Sequence, residues 1–317
     1  FQTVFTVFDS FNNYIPEGVQ WGSGWHQISN EWDWYINHAT GEVIPWRITG
    51  WEYADDFATL ILNVRRGVKW NDGEPYTARD IAFSYNMFIE YADQLGTQWV
   101  REQVDSVEVL DDYRVAIHLK TPNPRAHYMF LMWSGPNVVA EHVWKDEDPT
   151  TFKNYPPVET GPYKLYKVIP ELETFIWERD EDYWGREFGY FPKPKYVVCR
   201  KMPAADIELE NFVSGMVDVP PAHGFGWDLV EPAMARTPNA TYAVFMDPCN
   251  LGIAVINTDR YPLNITEFRQ ALSYAIDREK VAKLYPRAPG GSIAAYMPFS
   301  AWKAFDKYRF PSIVEKY

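Results

Sequence analysis

One continuous segment of the chain fixes a strand, a turn and a helix in a set order. The stretch from Thr59 to Val64 is rich in strand-forming residues, and Asn71-Asp72-Gly73 is a strong turn sequence because these residues tolerate left-handed backbone angles. Thr77 follows with a hydroxyl that can cap a helix, and Asp80 occupies the capping-box position three residues later. The segment therefore predicts a strand that reverses into a capped helix. It holds no pair of side chains typical of catalysis, so we interpret it as scaffold.

Charge and hydropathy exclude two classes of partner. The net charge is −13 and the pI is near 5.0, so the phosphates of nucleic acids or anionic membranes would be repelled. No apolar run reaches the roughly eighteen residues that span a bilayer. Phe1 to Ser10 has no basic n-region, so we expect any export signal to lie outside this sequence.

Aromatic residues are unusually dense, with 14 Trp, 21 Tyr and 19 Phe making up 17% of 317 residues. A rigid ring with an apolar face and a polar edge suits sugar rings and peptide side chains alike, although we expect most rings in cores. The length predicts two or three domains.

Periodicity and turn residues predict a mixed α/β chain. Extended segments precede Val64, and a hairpin turns at Asp111-Asp112. The other predicted strands are Phe1–Asp9, Val104–Leu110, Arg114–Leu119, Tyr163–Ile169, Thr174–Glu178, Tyr196–Lys201, Tyr242–Met246 and Gly252–Asn257. The predicted helices are Gln27–Ile36, Asp80–Leu95, Asp206–Val213 and Glu267–Tyr285.

Four motifs occur in a fixed order along most of the chain. They are Leu62–Asp80, then Glu159–Leu165 with Asp182-Tyr183-Trp184-Gly185, then Ser214–Val219, and finally Asn257-Thr258 with Phe268–Arg278. The set resembles the extracytoplasmic solute-binding proteins of family 5, which feed oligopeptides, oligosaccharides, nickel complexes and similar solutes to ABC importers. The resemblance implies an α/β periplasmic binding protein-like type II fold (cluster C), with mixed sheets flanked by helices and two lobes, the second incomplete here.

The resemblance also implies a domain map. Residues 1–45 and 161–256 would form a discontinuous first α/β domain, 46–160 an inserted β-rich domain, and 257–317 the start of a third domain. Family members need a substantial further stretch of chain to complete that third domain. We therefore expect this chain to be C-terminally truncated.

The first candidate ligand contact is the loop after the first strand, which lines the cleft in the family. The matching positions are Gln20, Trp21 and Gly22, with Trp25 close by. A tryptophan flanked by glycine in a polar loop is harder to bury than one on an amphipathic helix, so an exposed stacking ring is expected. The alternative is a loop packed onto its own aromatic residues.

Two further loops complete the candidate site by the same resemblance. In Pro220–Trp227, His223 can donate or accept a hydrogen bond near neutral pH, and glycines beside Phe225 allow close backbone approach. In Asp247–Gly252, Asn250 offers a donor and an acceptor to a peptide or a hydroxyl group. Plain turns are the alternative interpretation of both loops.

The resemblance implies a non-catalytic receptor that closes about a hinge and delivers its solute to the membrane subunits of an ABC permease. We expect a monomer without cofactor, located in the periplasm or outside the cell, and lipid anchoring stays open. The charged anchors that hold peptides in relatives would lie past Tyr317. The aromatic loop favours oligosaccharide, whereas the family favours peptide.

Two other interpretations of the function are weaker. The six histidines include no close pair at metal-ligand spacing, so a nickel-chelate receptor would depend on His223. A glycoside hydrolase would need paired carboxyls from separate elements, whereas Glu171 with Glu173, and Asp180 with Asp182, predict solvated turns. The sequence also leaves the state of the two cysteines open. Cys199 and Cys249 could form a disulfide, or Cys199 could be a buried thiol on a strand.

Overall fold

The computed structural model describes residues 7–15, 23–37, 40, 42–130, 136–201, 204–220, 226–241 and 257–284. The chain divides into two compact units, one comprising residues 2–36 and 43–201 and the other residues 1, 37–42 and 202–317. The three-domain map implied by the family resemblance stays a prediction.

Short strands and helices alternate along the described residues. The strands are β1 (Trp34–Ile36), β2 (Val43–Pro45), β3 (Ile48–Ala54), β4 (Thr59–Val64), β5 (Val104–Asp111), β6 (Arg114–Leu119), β7 (Tyr163–Ile169), β8 (Thr174–Arg179) and β9 (Tyr196–Arg200). The helices are α1 (Ala78–Glu90), α2 (Ala92–Leu95), α3 (Gln98–Gln103), α4 (Glu141–Trp144), α5 (Ala205–Val213), α6 (Trp227–Ala235), α7 (Thr266–Ala275) and α8 (Arg278–Leu284). Among the described residues, no helix combines the length and apolar character required to cross a bilayer.

The described strands of the larger unit form antiparallel sheets. β1 pairs with β2, the order β3-β4-β6-β5 makes a four-stranded sheet, and β7-β8-β9 makes a three-stranded sheet. The predicted hairpin is confirmed, since β5 and β6 pair antiparallel on either side of Asp112. The three strands predicted between residues 163 and 201 are confirmed as well.

Helix α1 starts where the sequence predicts a cap. The Asp80 carboxylate accepts the Thr77 backbone N–H at 2.7 Å, and the Arg79 N–H donates to the Thr77 hydroxyl at 3.2 Å. The predicted single helix is interrupted at Tyr91, whose backbone leaves the helical region, and α2 ends at the left-handed Gly96. Propensity alone does not separate these two short helices.

Two other helix predictions are wrong in part. The predicted helix Gln27–Ile36 is a π-helical turn, Trp25–Ser29, followed by β1, because the chain turns extended at Asn30 and β1 finds a pairing partner in β2. The predicted helix Glu267–Tyr285 breaks at Ile276, whose backbone is extended, which leaves α7 and α8. The predicted strand Tyr242–Met246, residues 252–256 of the predicted strand Gly252–Asn257, and residues 1–6 of the predicted strand Phe1–Asp9 lie outside the described residues.

Two apolar cores hold the larger unit together. The larger core lies between α1 and the four-stranded sheet, with Ile81, Tyr85 and Phe88 of the helix fully buried. The smaller core lies on one face of the β7-β8-β9 sheet and consists of Phe11, Trp25, Tyr163, Phe175 and Trp177. Aromatic rings fill much of both cores, so the aromatic density serves packing first.

Candidate functional site

Five buried side chains meet where residues 23–33 pack against two other parts of the larger unit. We call this set the buried junction, and it comprises Trp25, Glu31, Asp33, Arg47 and Glu159. The last two stand at the places where the inserted domain of the predicted map begins and ends. Charged residues are seldom buried without partners, so each charged member of the junction is expected to have an ion-pair or hydrogen-bond partner.

Arg47 and Asp33 form the ion pair of the junction. The Arg47 Nε lies 3.1 Å from the Asp33 Oδ1, which also accepts the Tyr76 hydroxyl at 2.7 Å. The Arg47 guanidinium lies 4.7 Å from the Tyr76 ring centre and donates to the Thr160 hydroxyl at 3.4 Å. A buried pair of this kind is stable only when further hydrogen bonds satisfy both ions, and Tyr76 and Thr160 provide them.

Glu31 accepts hydrogen bonds from three side chains. Trp46 Nε1 donates to it at 2.9 Å, the Tyr183 hydroxyl at 2.5 Å and Trp184 Nε1 at 3.2 Å. Burial raises the pKa of Glu31, and the hydrogen bonds from Tyr183 and Trp46 oppose that rise because they favour the carboxylate. The three donors come from the start of the predicted insert and from the turn after β8.

Within the part of the chain that the structure describes, Glu159 has a single side-chain donor. Trp25 Nε1 donates to the Glu159 Oε1 at 2.9 Å, and the Glu159 side chain is 6% exposed. Burial raises the pKa of Glu159 to about 8, against the opposing effects of the Trp25 hydrogen bond and the Arg47 charge. The negative charge of Glu31 adds to the rise.

The turn Asn71-Asp72-Gly73 fixes the backbone of Glu159. The Asn71 N–H donates to the Glu159 carbonyl at 2.8 Å, and the Asn71 side-chain amide donates to the Pro157 carbonyl at 3.1 Å. Gly73 has a left-handed φ of 102°, as the turn requires. These contacts support the interpretation of this segment as scaffold, because its polar groups bind other parts of the chain.

Gly161 shows why the motif after Glu159 contains glycine. Its N–H donates to the Ser29 carbonyl at 2.8 Å, and a Cβ at position 161 would lie 2.1 Å from that same oxygen. The backbones of the two segments therefore approach too closely for a side chain. This contact fixes the position of residues 25–29 relative to β7.

A polar surface pocket of about 450 Å³ lies between residues 67–73 and 180–187 of the larger unit. Lys164 Nζ lies 3.1 Å from Asp180 Oδ1, and His142 Nε2 lies 2.7 Å from Asp72 Oδ2. Asp180 is buried, so the prediction of a solvated turn is wrong at this position. Its carboxylate can be buried because it pairs with Lys164 and accepts the Asp182 N–H. Neighbouring side chains therefore bind Asp180 and Asp72 of this pocket, which supports its interpretation as structural.

Only one of the predicted ligand contacts falls within the described residues. Gln20, Trp21, Gly22, His223, Phe225 and Asn250 lie outside them. Trp25 is 2% exposed, and its ring packs edge-on against Phe11 at 5.6 Å. In this structure Trp25 therefore offers no exposed stacking ring, and the alternative of a loop packed onto its own aromatic residues describes it better.

Cys199 lies on β9 as a free thiol, and burial raises its pKa to about 11. Cys199 is a half-buried strand residue, and Cys249 lies outside the described residues, so a disulfide between the two stays untested. Within the described ranges, no group of three or more His, Cys, Asp and Glu side chains is arranged to hold a metal ion.

Sequence reasoning did not select the residues of the junction other than Trp25. Glu31 and Asp33 fall in the segment predicted as a helix, where acidic residues ordinarily face water. A usable signal was their place among Trp25, Trp32, Trp34 and Tyr35, because carboxylates between so many rings need internal donors.

Comparison with known proteins decides the family. Residues 42–316 match the model of the bacterial extracellular solute-binding proteins, family 5 Middle. The chain belongs to this family. The recognition made from the four motifs is thereby confirmed, and the matched relatives are binding proteins rather than enzymes.

One curated relative is the nickel-binding periplasmic protein of Escherichia coli (strain K12), which is 25% identical over 253 residues. The match covers 77% of this chain and 45% of the relative, so the chain spans about half the length of that family 5 protein.

Solved structures support the fold. An oligopeptide ABC transporter periplasmic oligopeptide-binding protein of Thermotoga maritima gives a TM-score of 0.76 at 22% identity, covering 100% of this chain and 58% of that chain. A mannohexaose-bound structure of the Thermotoga protein gives 0.75 at 22% identity with the same coverage. The α/β fold of periplasmic binding proteins, expected from the resemblance, is confirmed.

Proposed function

We propose that this chain is part of a solute receptor of an ABC importer that captures an oligopeptide or an oligosaccharide between two lobes and delivers it to a membrane permease. The observation that carries the proposal is the family match over residues 42–316. Hinge closure supplies the mechanism, because a ligand that binds the closed state more tightly shifts the population towards it. The permease then recognises the closed state.

Two facts support oligopeptide and oligosaccharide as the ligand classes. The Thermotoga neighbour is described as oligopeptide-binding, and one of its structures holds mannohexaose. Rings and amide groups serve both classes, since sugars stack on aromatic faces and peptides need paired donors and acceptors. We assign ligand contact to Gln20, Trp21, Gly22, His223, Phe225 and Asn250, while Trp25 supports this loop from the core.

A thermal-unfolding screen of the protein expressed at full length tests the proposal. A ligand that binds only the native state raises the melting temperature, so mannohexaose and an oligopeptide library are compared at equal concentrations. We expect a rise with one class. No rise with either class contradicts the proposed ligands.

A variant pair then tests the loop. Trp21→Ala should weaken binding of the active ligand by more than about tenfold if this ring is a stacking anchor. Tyr166→Ala is the matched control, because Tyr166 is an exposed ring on β7. Equal affinities of the two folded variants would remove Trp21 from the site.

A nickel complex is the second candidate ligand, favoured by the nickel-binding relative at 25% identity. In that case His223 would be the side chain to contact the metal or its chelator. Calorimetric titration with nickel–histidine complexes separates this candidate from the first. Binding that His223→Ala abolishes, together with no response to sugars or peptides, would favour it.

The matched relatives are periplasmic or extracellular proteins, and we propose the same location for this chain, with function as a monomer. The glycoside hydrolase considered from the sequence is set aside, because the family consists of solute-binding proteins. Release of reducing sugar during the screen would bring it back.

A further inference from the structure

The buried junction holds more negative than positive charge. Glu31, Asp33 and Glu159 supply three carboxyl groups, and Arg47 is the guanidinium buried among them. If all four groups were ionised, two negative charges would lack a counter-ion away from water. Such an excess is relieved when one carboxyl keeps its proton.

The hydrogen bonds decide which carboxyl keeps it. Asp33 is stabilised as a carboxylate by Arg47 and by the Tyr76 hydroxyl. Glu31 is stabilised by the three side-chain donors described above. Among the side chains that the structure describes, Glu159 has the single donor Trp25. The group with the fewest donors gains least from ionisation, so the geometry selects Glu159 as the protonated group.

We propose that Glu159 is a positioning residue that holds the turn Trp25–Ser29 in place in its protonated form, and that loss of this proton loosens the turn. The ionised carboxylate would still accept the Trp25 N–H, and more strongly than before. It would also be a buried charge facing Glu31, and the described cation whose charge reaches it, Arg47, is already paired with Asp33. Opening of the turn admits water to Glu159 and relieves that cost.

The other titratable groups around Glu159 do not obscure the loss of its proton. Arg47 stays charged throughout, and burial raises the pKa of Tyr14 far above the relevant range. His26, beside Trp25, is neutral over the same range because burial lowers its pKa to about 4. Two charges act on Glu159 directly: the Arg47 charge favours its carboxylate, and the Glu31 charge disfavours it.

The sign of the pH effect follows from the two states of Glu159. In the closed turn the pKa is about 8, and in water it is 4.5, so the closed form binds the proton more tightly. Opening therefore becomes easier as the pH rises between these two values, by up to about tenfold per pH unit, and levels off above about pH 8.

Hydrogen–deuterium exchange of the whole protein tests the proposal. The reporter amides are Gln27 and Ile28, which donate to the Gly24 carbonyl, and Asn30, which donates to the Trp25 carbonyl. After correction for intrinsic exchange, their protection should fall as the pH is raised from 5 to 8 and then stay level. Glu159→Gln, which keeps an oxygen acceptor for Trp25, should show a flat profile.

Glu147→Gln is the matched control, because it removes one exposed carboxylate, and it should keep the wild-type profile. Identical profiles for wild type and Glu159→Gln would overturn the proposal. Infrared spectroscopy of the wild type gives a second measurement that needs no folded variant. A protonated carboxyl band should persist at pH 6.5 and disappear by pH 9.5, and its absence at pH 6.5 also overturns the proposal.

The consequence for ligand binding rests on the proposed function, because Trp25 lies three residues after Gly22, the last of the predicted ligand contacts Gln20, Trp21 and Gly22. Affinity for mannohexaose or for the oligopeptide that binds should then fall over the pH range in which protection falls, and less so in Glu159→Gln. A pH-dependent exchange profile without binding of either ligand would contradict the proposed function alone. A flat exchange profile with intact binding would contradict the positioning role alone.

Discussion

Residues 23–36 and residues 59–90 are both rich in aromatic and acidic side chains, yet the hydrogen bonds described for them differ in how far apart in sequence the partners lie. In the second segment, the cap formed by Thr77 and Asp80 joins neighbours in sequence. In the first segment, Trp25 bonds Glu159, 134 residues away, and Glu31 bonds Tyr183, 152 residues away. The helix cap of the second segment is therefore specified locally, whereas Trp25 and Glu31 of the first segment depend on remote partners.

The comparison shows which polar groups connect segments that are distant in sequence. Asp80 and Glu31 are both buried, so each carboxylate needs hydrogen-bond donors. Asp80 finds one donor in its own helix cap, whereas the donors to Glu31 lie at the start of the predicted insert and in the turn after β8. The junction thus ties the segment beside the predicted ligand loop to the rest of the larger unit.

The largest expected effect comes from breaking the ion pair of the junction. Arg47→Met leaves Asp33 buried without a cation, and we expect a loss of about 3–5 kcal/mol in the free energy of unfolding. Denaturant unfolding measures it. The double variant Arg47→Met, Asp33→Asn should recover part of the loss.

An exposed ion pair provides the contrast for this prediction. Arg101 and Asp93 form a bidentate pair with N···O distances of 2.9 Å and 2.8 Å on the surface. Arg101→Met should change stability little, because water screens exposed charges. Equal losses in the Arg47 and Arg101 variants would show that burial does not govern the first pair.

The next effect concerns the close approach of Gly161 to Ser29. Gly161→Ala places a Cβ against a backbone oxygen, and we expect a destabilisation of about 2–3 kcal/mol because the backbone must move. Gly50→Ala is the matched control, since nothing lies within 4 Å of its added Cβ. If both variants unfold at the same denaturant concentration, the segments do not meet as closely as described.

The smallest effect belongs to the locally specified segment. Thr77→Ala removes the helix cap and should cost about 1 kcal/mol, with the reporter amides of the Trp25–Ser29 turn unaffected. Thr121→Ala, at an exposed position after β6, is the control. Increased exchange in the turn upon Thr77→Ala would show that the helix cap itself acts on the turn and is not a purely local feature.

Sequence alone predicts much of the fold of the larger unit. The strand, turn and cap over residues 59–80, the β5–β6 hairpin and the strands β7 to β9 follow from alternation and turn residues. The helix predicted over Gln27–Ile36 is wrong, because apolar spacing in this segment suits a helix while its actual partners lie far along the chain. Local patterns contain no information about such partners.

The candidate site is less predictable for the same reason. Trp25 was expected to be exposed because glycine precedes it in the sequence. Gly24 instead allows the backbone to lie close to Trp177, since an added Cβ at this position would lie 2.6 Å from the Trp177 indole nitrogen. The burial of Glu159 could not be inferred from its sequence neighbours Glu159-Thr160-Gly161. The importance of these residues becomes visible only when three distant segments are placed together.

The measurement that tests the junction most directly is the free energy of unfolding of wild type and Glu159→Gln at pH 4, 6, 7 and 9. Because the pKa of Glu159 is raised to about 8 in the folded state, its contribution to stability is full below about pH 4.5 and is lost as the pH rises to about 8. We expect the stability of Glu159→Gln relative to wild type to increase from pH 4 to pH 9 by an amount on the order of 3–5 kcal/mol. A stability difference that stays constant over this range would contradict a protonated Glu159 in the folded protein.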